Sequence, residues 1–180
     1  VVRTLANAGT KVIFTLSGNQ IMPIFDACID HGIELVHTRH EAAAVFMADA
    51  YAQLTGKPGI ALVTAAPGFA NSVGALFTAR QSESPVILLS GDSPLSQDGK
   101  GAFQELDQVS VSAPMTKLSF RPQHAKELGL DIARALRTAS AGRPGPVHCA
   151  LPFDLLNEDV GAASTPPPDT CKTGDPDPPH

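Results

Sequence analysis

Short apolar segments alternate with longer amphipathic segments along most of the chain. The short segments are rich in β-branched residues, which favour strands, and the longer ones repeat apolar residues at helical spacing. The predicted strands are residues 11–16, 33–38, 59–64, 85–91, 115–120 and 146–152. Such alternation is typical of βα units, in which helices connect parallel strands.

The predicted helices lie between these strands. They cover residues 1–8, 21–32, 41–56, 69–82 and 123–139. Apolar residues already recur at helical spacing from Val1, which indicates that the numbering opens partway into a helix. Because the strands are almost continuously apolar, helices should cover both faces of the sheet. The sequence therefore predicts an α/β fold, a three-layer α/β/α sandwich with a six-stranded parallel sheet.

Two stretches lack this periodicity. Residues 92–113 show no clear repeat, and we expect a long loop there that borders a functional site. Beyond about residue 160 prolines cluster and the apolar pattern ends, which predicts a proline-rich linker or disordered tail over residues 161–180. We therefore expect one domain, residues 1–160, followed by this tail.

Composition and charge narrow the possible functions. Apolar residues make up 43% of the 180 residues and charged residues 17%, which is typical of a globular domain. The net charge of −5 leaves no excess of Lys and Arg to bind nucleic acid. Three cysteines without paired spacing fit neither a disulfide framework nor a zinc site. With no apolar run long enough to span a bilayer and no signal peptide, we expect a cytoplasmic protein that contacts no membrane.

Several common catalytic motifs are missing from the sequence. It has no G-x-S-x-G nucleophile elbow, no G-x-G-x-x-G dinucleotide fingerprint and no Walker phosphate loop. His40 and Glu41 begin like a zinc-protease motif, but Ala44 stands where the second histidine would be. We expect no metal site within this chain.

Two strand-to-helix junctions carry candidate chemistry. Glu41 opens a predicted helix directly after a strand, at the carboxyl edge of the sheet, where open α/β folds bind ligands. On spacing alone, the simpler interpretation is a first-turn Glu that only complements the helix dipole. Gly68 and Asn71, in the segment TAAPGFAN at residues 64–71, are explained equally well as turn and cap residues.

Four separated segments favour a functional interpretation of these residues, because together the segments resemble the amino-terminal domain of thiamine diphosphate-dependent enzymes. Enzymes of this kind that the segments resemble are acetolactate synthase, benzaldehyde lyase, and the 2-hydroxyacyl-CoA and oxalyl-CoA lyases. The segments are FTLSGNQIMPIFDAC, TRHEAAAVFMADAYAQLTGKPGIALVTAAPGFAN, AFQELDQV and GRPGPVHCALPFDLL. The resemblance runs from Val1 to about Leu156 and implies the thiamine diphosphate-binding fold, with this chain as the pyrimidine-binding domain.

The resemblance also implies roles for individual residues. Glu41 would hydrogen-bond a ring nitrogen of the cofactor's aminopyrimidine, favouring the imino tautomer that deprotonates the thiazolium carbon. Gln104 would reach the reaction centre, and Gln20 stands at a substrate position where benzaldehyde lyase carries a histidine. The pyrimidine pocket would be lined by Gly18, Glu41, Pro67, Gly68 and Asn71.

The implied parent enzyme is an acetolactate synthase-like carboligase or decarboxylase acting on a 2-oxo acid. One alternative is a 2-hydroxyacyl-CoA, oxalyl-CoA or aldehyde lyase, because residues 16–19 read Leu-Ser-Gly-Asn where many acetolactate synthases have Tyr-Pro-Gly-Gly. Another alternative is a noncatalytic dimerisation module of the same fold. A flavodoxin-like nucleotide binder is disfavoured because no phosphate-cradling glycine loop follows the first strand.

The resemblance further implies partners that this sequence does not contain. Complete family members carry a middle domain and a diphosphate-binding domain, whose Gly-Asp-Gly motif helps to hold Mg²⁺ and the diphosphate. That motif does not occur here. We therefore expect the isolated chain to be inactive, and the working enzyme to be a homo-oligomer, a dimer or tetramer.

Overall fold

A computed structural model of the protein describes residues 1–161, which contain six strands and seven α-helices. The strands are β1 Val12–Thr15, β2 Glu34–His37, β3 Gly59–Val63, β4 Val86–Asp92, β5 Leu118–Phe120 and β6 Val147–Pro152. The helices are α1 Val2–Asn7, α2 Met22–His31, α3 Glu41–Thr55, α4 Pro67–Gln81, α5 Gln108–Ser112, α6 Leu128–Ser140 and α7 Phe153–Asn157.

The strands form one parallel sheet in the order β2-β1-β3-β4-β6-β5. This confirms the predicted six-stranded parallel sheet. The chain passes from β1 to β2 on one side and returns to place β3 on the other side of β1. The carboxyl ends of β1 and β3 therefore meet where the strand order reverses, the position at which open α/β sheets bind ligands.

Two apolar cores lie on opposite faces of the sheet, because successive strand residues point to opposite sides. Along β3, Ile60 and Leu62 belong to the core that also contains residues of α1, α2, α6 and α7. Ala61 and Val63 belong to the other core, which contains residues of α3 and α4. These two cores confirm the three-layer α/β/α sandwich.

The edges of the sheet depart from the predicted apolar pattern. Strands β3, β4 and β6 are buried throughout, as expected, whereas the edge strand β2 is exposed or half-buried at all four positions. Strand β5 is only three residues long and half-buried. Edge strands have a neighbour on one side only, so their side chains are less covered.

The expected long loop is shorter than predicted. Its first residue, Asp92, ends β4, and α5 begins at Gln108. The side chain of Asp107 caps α5 by accepting a hydrogen bond from Ser110 N at 3.0 Å. A five-residue helix is too short to show a hydrophobic period, which is why the pattern missed both α5 and α7.

The last long helix is also displaced from its prediction. It begins at Leu128, after a 3₁₀ turn at Ala125–Glu127, and ends at Ser140. Within residues 1–161, no helix combines the length and apolar character needed to cross a membrane. The predicted tail over residues 161–180 falls outside the described residues except for Gly161.

Candidate functional site

Glu41 lies at the amino end of α3, next to the point where the strand order reverses. The helix cap is provided by the preceding residue, His40, whose Nδ1 accepts the N–H of Ala42 at 3.1 Å. The Glu41 side chain is buried, with 8% of the residue exposed, and its Oε2 accepts a hydrogen bond from Asn71 Nδ2 at 3.0 Å. Since His40 already caps the helix and Asn71 orients the carboxyl group, a dipole role alone does not account for this arrangement.

Two glycines pack against one threonine beside this carboxyl group. A Cβ atom added at Gly18 would lie 2.3 Å from Thr64 Cβ, and one added at Gly68 would lie 2.7 Å from Thr64 Cγ2. The Cβ added at Gly68 would also lie 3.5 Å from Glu41 Oε1. Gly18 has an extended φ of −169°, so the reason for glycine there is space and not backbone conformation. The backbones after β1 and β3 thus approach each other with no room for a side chain.

The turn between β3 and α4 holds an unusual backbone conformation. Ala66 has φ 36° and ψ −87°, in a region that non-glycine residues rarely adopt. Pro67 follows as the first residue of α4 and is exposed, and Gly68 is buried behind it. Strained residues of this kind cluster at functional sites.

A line of polar side chains extends from Thr64 toward the long loop. Thr64 Oγ1 donates to Gln20 Oε1 at 2.8 Å, and Gln20 Nε2 donates to Gln104 Oε1 at 2.7 Å. Gln20 is buried, with 8% exposed. A Cβ added at Gly91 would lie 2.7 Å from the Cβ of Gln20. The two glutamines predicted to face the substrate therefore meet directly.

The structure brings the predicted site residues into one contiguous edge. Contacts run from Asn71 through Glu41 to the Gly68 turn, and from Thr64 to both Gly18 and Gln20. Gln104 joins at the far end, and Pro67 lies beside Gly68. Sequence reasoning missed Thr64 and Gly91, although each stands at the end of a predicted apolar strand, where a polar residue or glycine at the carboxyl edge is the available signal.

The described side chains include no cluster of metal ligands. Residues 1–161 contain no group of three or more His, Cys, Asp or Glu residues placed to hold a metal ion. The two cysteines described there, Cys28 and Cys149, are buried free thiols, and burial raises the pKa of Cys28 to about 11. Neither thiol is placed for chemistry at the candidate edge.

Comparison with known families decides which family the chain belongs to. Residues 1–111 match the family described as thiamine pyrophosphate enzyme, N-terminal TPP binding domain. The chain belongs to this family. Thiamine pyrophosphate (TPP) is the same compound as thiamine diphosphate, so the resemblance drawn from the sequence is confirmed.

Relatives of this TPP-binding domain carry two kinds of name. The chain is 43% identical to 2-hydroxyacyl-CoA lyase 2 of Danio rerio over 156 residues, which are 87% of this chain and 25% of the relative. It is 40% identical to the acetolactate synthase large subunit of Buchnera aphidicola subsp. Schizaphis graminum over 159 residues, 88% of this chain and 28% of the relative. The acetolactate synthase large subunit IlvG of Mycobacterium tuberculosis is 36% identical over 154 residues, which are 86% of this chain and 28% of the relative. The chain thus spans about a quarter of the length of the curated relatives it matches.

Proposed function

We propose that this domain holds the aminopyrimidine end of TPP and that Glu41 exchanges a proton with it. The parent enzyme would form or break a carbon–carbon bond next to a carbonyl group. The observation that carries the proposal is the buried Glu41 carboxyl group, which lies at the sheet's switch point with one oxygen oriented by Asn71.

The residues at this edge fit a flat heterocycle that carries both donors and acceptors. A ring that bonds Glu41 must approach the backbone at Gly68, where an added Cβ would lie 3.5 Å from Glu41 Oε1, while Thr64 fills the remaining space beside Gly18 and Gly68. A carboxyl group can accept a hydrogen bond when ionised and donate one when protonated. Glu41 Oε2 is already held by Asn71, which leaves Oε1, near Gly68, to face the ring.

When bound, TPP supplies a nucleophilic carbon and accepts the electron pair released at the carbonyl carbon. Glu41 would hold or release the proton at its Oε1 atom, in a buried position that limits exchange with water. Gln104 Oε1 is occupied by Gln20, so Gln104 Nε2 is the amide group that can donate to a substrate oxygen. Gln20 would set the rotamer of Gln104 and not contact the cofactor.

We propose that a further domain holds the diphosphate end of the cofactor and its Mg²⁺. Mg²⁺ binding requires oxygen ligands in near-octahedral geometry, usually together with substrate phosphates. The described residues offer no such cluster, and the relatives are about four times as long as the matched segment. The exposed positions of Pro67 and Asn71 on the open edge leave room for that domain to complete the site.

The substrate class is a choice between a 2-hydroxyacyl thioester and a 2-oxo acid. Relatives named 2-hydroxyacyl-CoA lyase 2 are 40–43% identical to this chain, and those named acetolactate synthase are 36–40% identical. The higher identity to the lyases supports cleavage of a 2-hydroxyacyl-CoA as the first candidate. Carboligation of pyruvate is the second candidate.

A direct assay of the longer parent protein separates these substrates. With TPP and Mg²⁺ present, we expect kcat/KM for a 2-hydroxyacyl-CoA to exceed that for pyruvate by at least about tenfold, a difference of about 1.4 kcal/mol. The 180-residue chain is the control and should be inactive on both. Higher activity on pyruvate would select the acetolactate synthase reaction, and activity of the isolated chain would contradict the divided site.

We also propose that two copies of the protein meet over the outer face of α3 and α4. This face exposes Phe46 to 47%, Met47 to 38% and Phe77 to 53%. Exposed apolar groups of this size on adjacent helices mark interaction surfaces.

Sedimentation of the 180-residue chain should therefore show a dimer. Replacing Phe77 by serine should weaken the dimer by at least about tenfold, because a buried Phe side chain contributes about 1.5–3 kcal/mol. Ile29, which is 79% exposed on α2 in the opposite helix layer, supplies the matched control Ile29→Ser. A wild-type chain that stays monomeric at every concentration, or equal effects of the two variants, would refute this interface.

A further inference from the structure

The loop over residues 93–107 is tied at its base by the buried carboxylate of Asp92. Asp92, at the end of β4, accepts hydrogen bonds on Oδ1 from Ser93 N at 2.9 Å and from Gln108 Nε2 at 3.0 Å. Its Oδ2 lies 2.5 Å from Arg121 Nε, and the same guanidinium reaches Asp98 at 2.6 Å. The Asp92 carboxylate therefore holds both Ser93, the first residue of the loop, and Gln108, the residue directly after the loop.

The middle of the loop is tied by a second carboxylate, that of Glu105. Its Oε1 accepts the N–H of Gly99 at 2.7 Å, and its Oε2 accepts those of Gly101 at 3.1 Å and Ala102 at 3.0 Å. These backbone hydrogen bonds, that from Gly99 foremost, lower the pKa of Glu105. Gly99 and Gly101 have φ of 70° and 73°, which only glycine adopts without strain, so the chain can wrap around the carboxylate.

Gln104, which directly precedes Glu105, has an uncommon backbone conformation. Its φ is 61°, in the left-handed region that costs a side-chain-bearing residue about 1–2 kcal/mol. Such a conformation persists only where the surrounding structure enforces it. The same residue accepts the hydrogen bond from Gln20 at 2.7 Å, so the strained backbone and the polar contact occur together.

We propose that Glu105 is a positioning residue that holds Gln104 against Gln20. Its three bonds to backbone N–H groups fix the turn over residues 99–105, and this turn carries Gln104 in its left-handed conformation to the edge of the site. The catalytic importance of this placement rests on the proposed function. The coupling between Glu105 and Gln104 does not, because both residues lie in this chain and the coupling needs no cofactor.

The substitution Glu105→Gln tests this coupling in the 180-residue chain by ¹H–¹⁵N NMR, without cofactor. An amide presents one oxygen and one NH₂ group where the carboxylate presents two acceptors, so at least one N–H of the turn loses its partner. We expect the backbone signals of Gly99, Gly101 and Ala102 to shift. We also expect hydrogen exchange at the Gln20 side-chain amide to accelerate by about tenfold, because its acceptor is no longer held.

Three further variants separate an effect on Gln20 from a general disturbance of the loop. Gln104→Ala removes the acceptor itself, so it should accelerate exchange at Gln20 and leave the turn signals in place. Glu34→Gln, the same change at an exposed position on β2, should alter neither. If Glu105→Gln also disturbs the β4 signals, Glu105→Asp, which keeps the charge but shortens the side chain, provides the same comparison.

The outcome that overturns the proposal is a Glu105 variant that shifts the three turn signals while the Gln20 amide stays as protected as in the wild type. Glu105 would then shape only its own loop. Since this experiment requires neither cofactor nor turnover, its result is independent of whether the proposed catalytic function is correct.

Discussion

Replacing Glu41 with glutamine is expected to lower the turnover number of the longer TPP enzyme by about 10²–10⁴-fold, the usual contribution of a positioned acid–base group. Glutamine preserves the shape of the side chain and can still accept the hydrogen bond that Asn71 donates at 3.0 Å. It cannot share an acidic proton with the bound aminopyrimidine. Steady-state kinetics at saturating TPP would measure the loss.

The same change should leave the fold nearly intact. His40 caps α3 in both proteins, and a first-turn carboxylate contributes only about 0.3–1 kcal/mol through the helix dipole. Melting temperatures should therefore be similar, and Glu34→Gln, on the exposed edge strand, should change neither turnover nor melting. Normal turnover by the variant would contradict a catalytic Glu41, and unfolding of the variant would contradict the small contribution to stability expected of this side chain.

Adding one methyl group at Gly68 is expected to destabilise the domain by about 1–3 kcal/mol, the typical effect of overpacking. The new Cβ would lie 2.7 Å from Thr64 Cγ2 and 3.6 Å from Thr64 Cβ. The clash thus involves mainly one methyl group. Thr64→Ser removes that methyl and retains the hydroxyl that bonds Gln20, so the double variant should recover most of the lost stability.

Urea unfolding of the single and double variants measures this coupling as a double-mutant cycle. Gly74 offers the matched control, because it lies in the same helix and a Cβ added there meets nothing within 4 Å. Gly74→Ala should be stabilising by about 0.5–1 kcal/mol, since alanine is the better helix former. Equal effects of Gly68→Ala and Gly74→Ala, or additive effects of Gly68→Ala and Thr64→Ser, would show that the close packing around Thr64 is not required.

The central architecture was predictable because it depends on local pattern. Strands β3, β4 and β6 are buried throughout, so their apolar runs predicted their place inside the sheet. Strand β2, which carries Glu34 and His37, lies at the edge, and position in the sheet depends on long-range pairing that no local window contains. Helix α5 depends on the cap at Asp107 more than on periodicity, and a single cap is a weak signal.

The resemblance proposed the candidate site residues, but it did not indicate how they contact one another. Glu41 and Asn71 are 30 positions apart, and Gln20 and Gln104 are 84 apart, so only the assembled sheet edge brings each pair together. Thr64 was missed because its role is to fill the space that two glycines leave. That role exists only where the turns after β1 and β3 meet.

Hydrogen–deuterium exchange at the reactive carbon of enzyme-bound TPP tests the central claim most directly, because it isolates proton transfer from substrate binding. It should be compared in the longer enzyme between the wild type and Glu41→Gln, with Glu34→Gln as the control. We predict that exchange slows by about 10²–10⁴-fold in Glu41→Gln and is unchanged in the control. Exchange at the wild-type rate in a folded, TPP-saturated Glu41→Gln enzyme would contradict the assignment of Glu41 as the acid–base residue of this site.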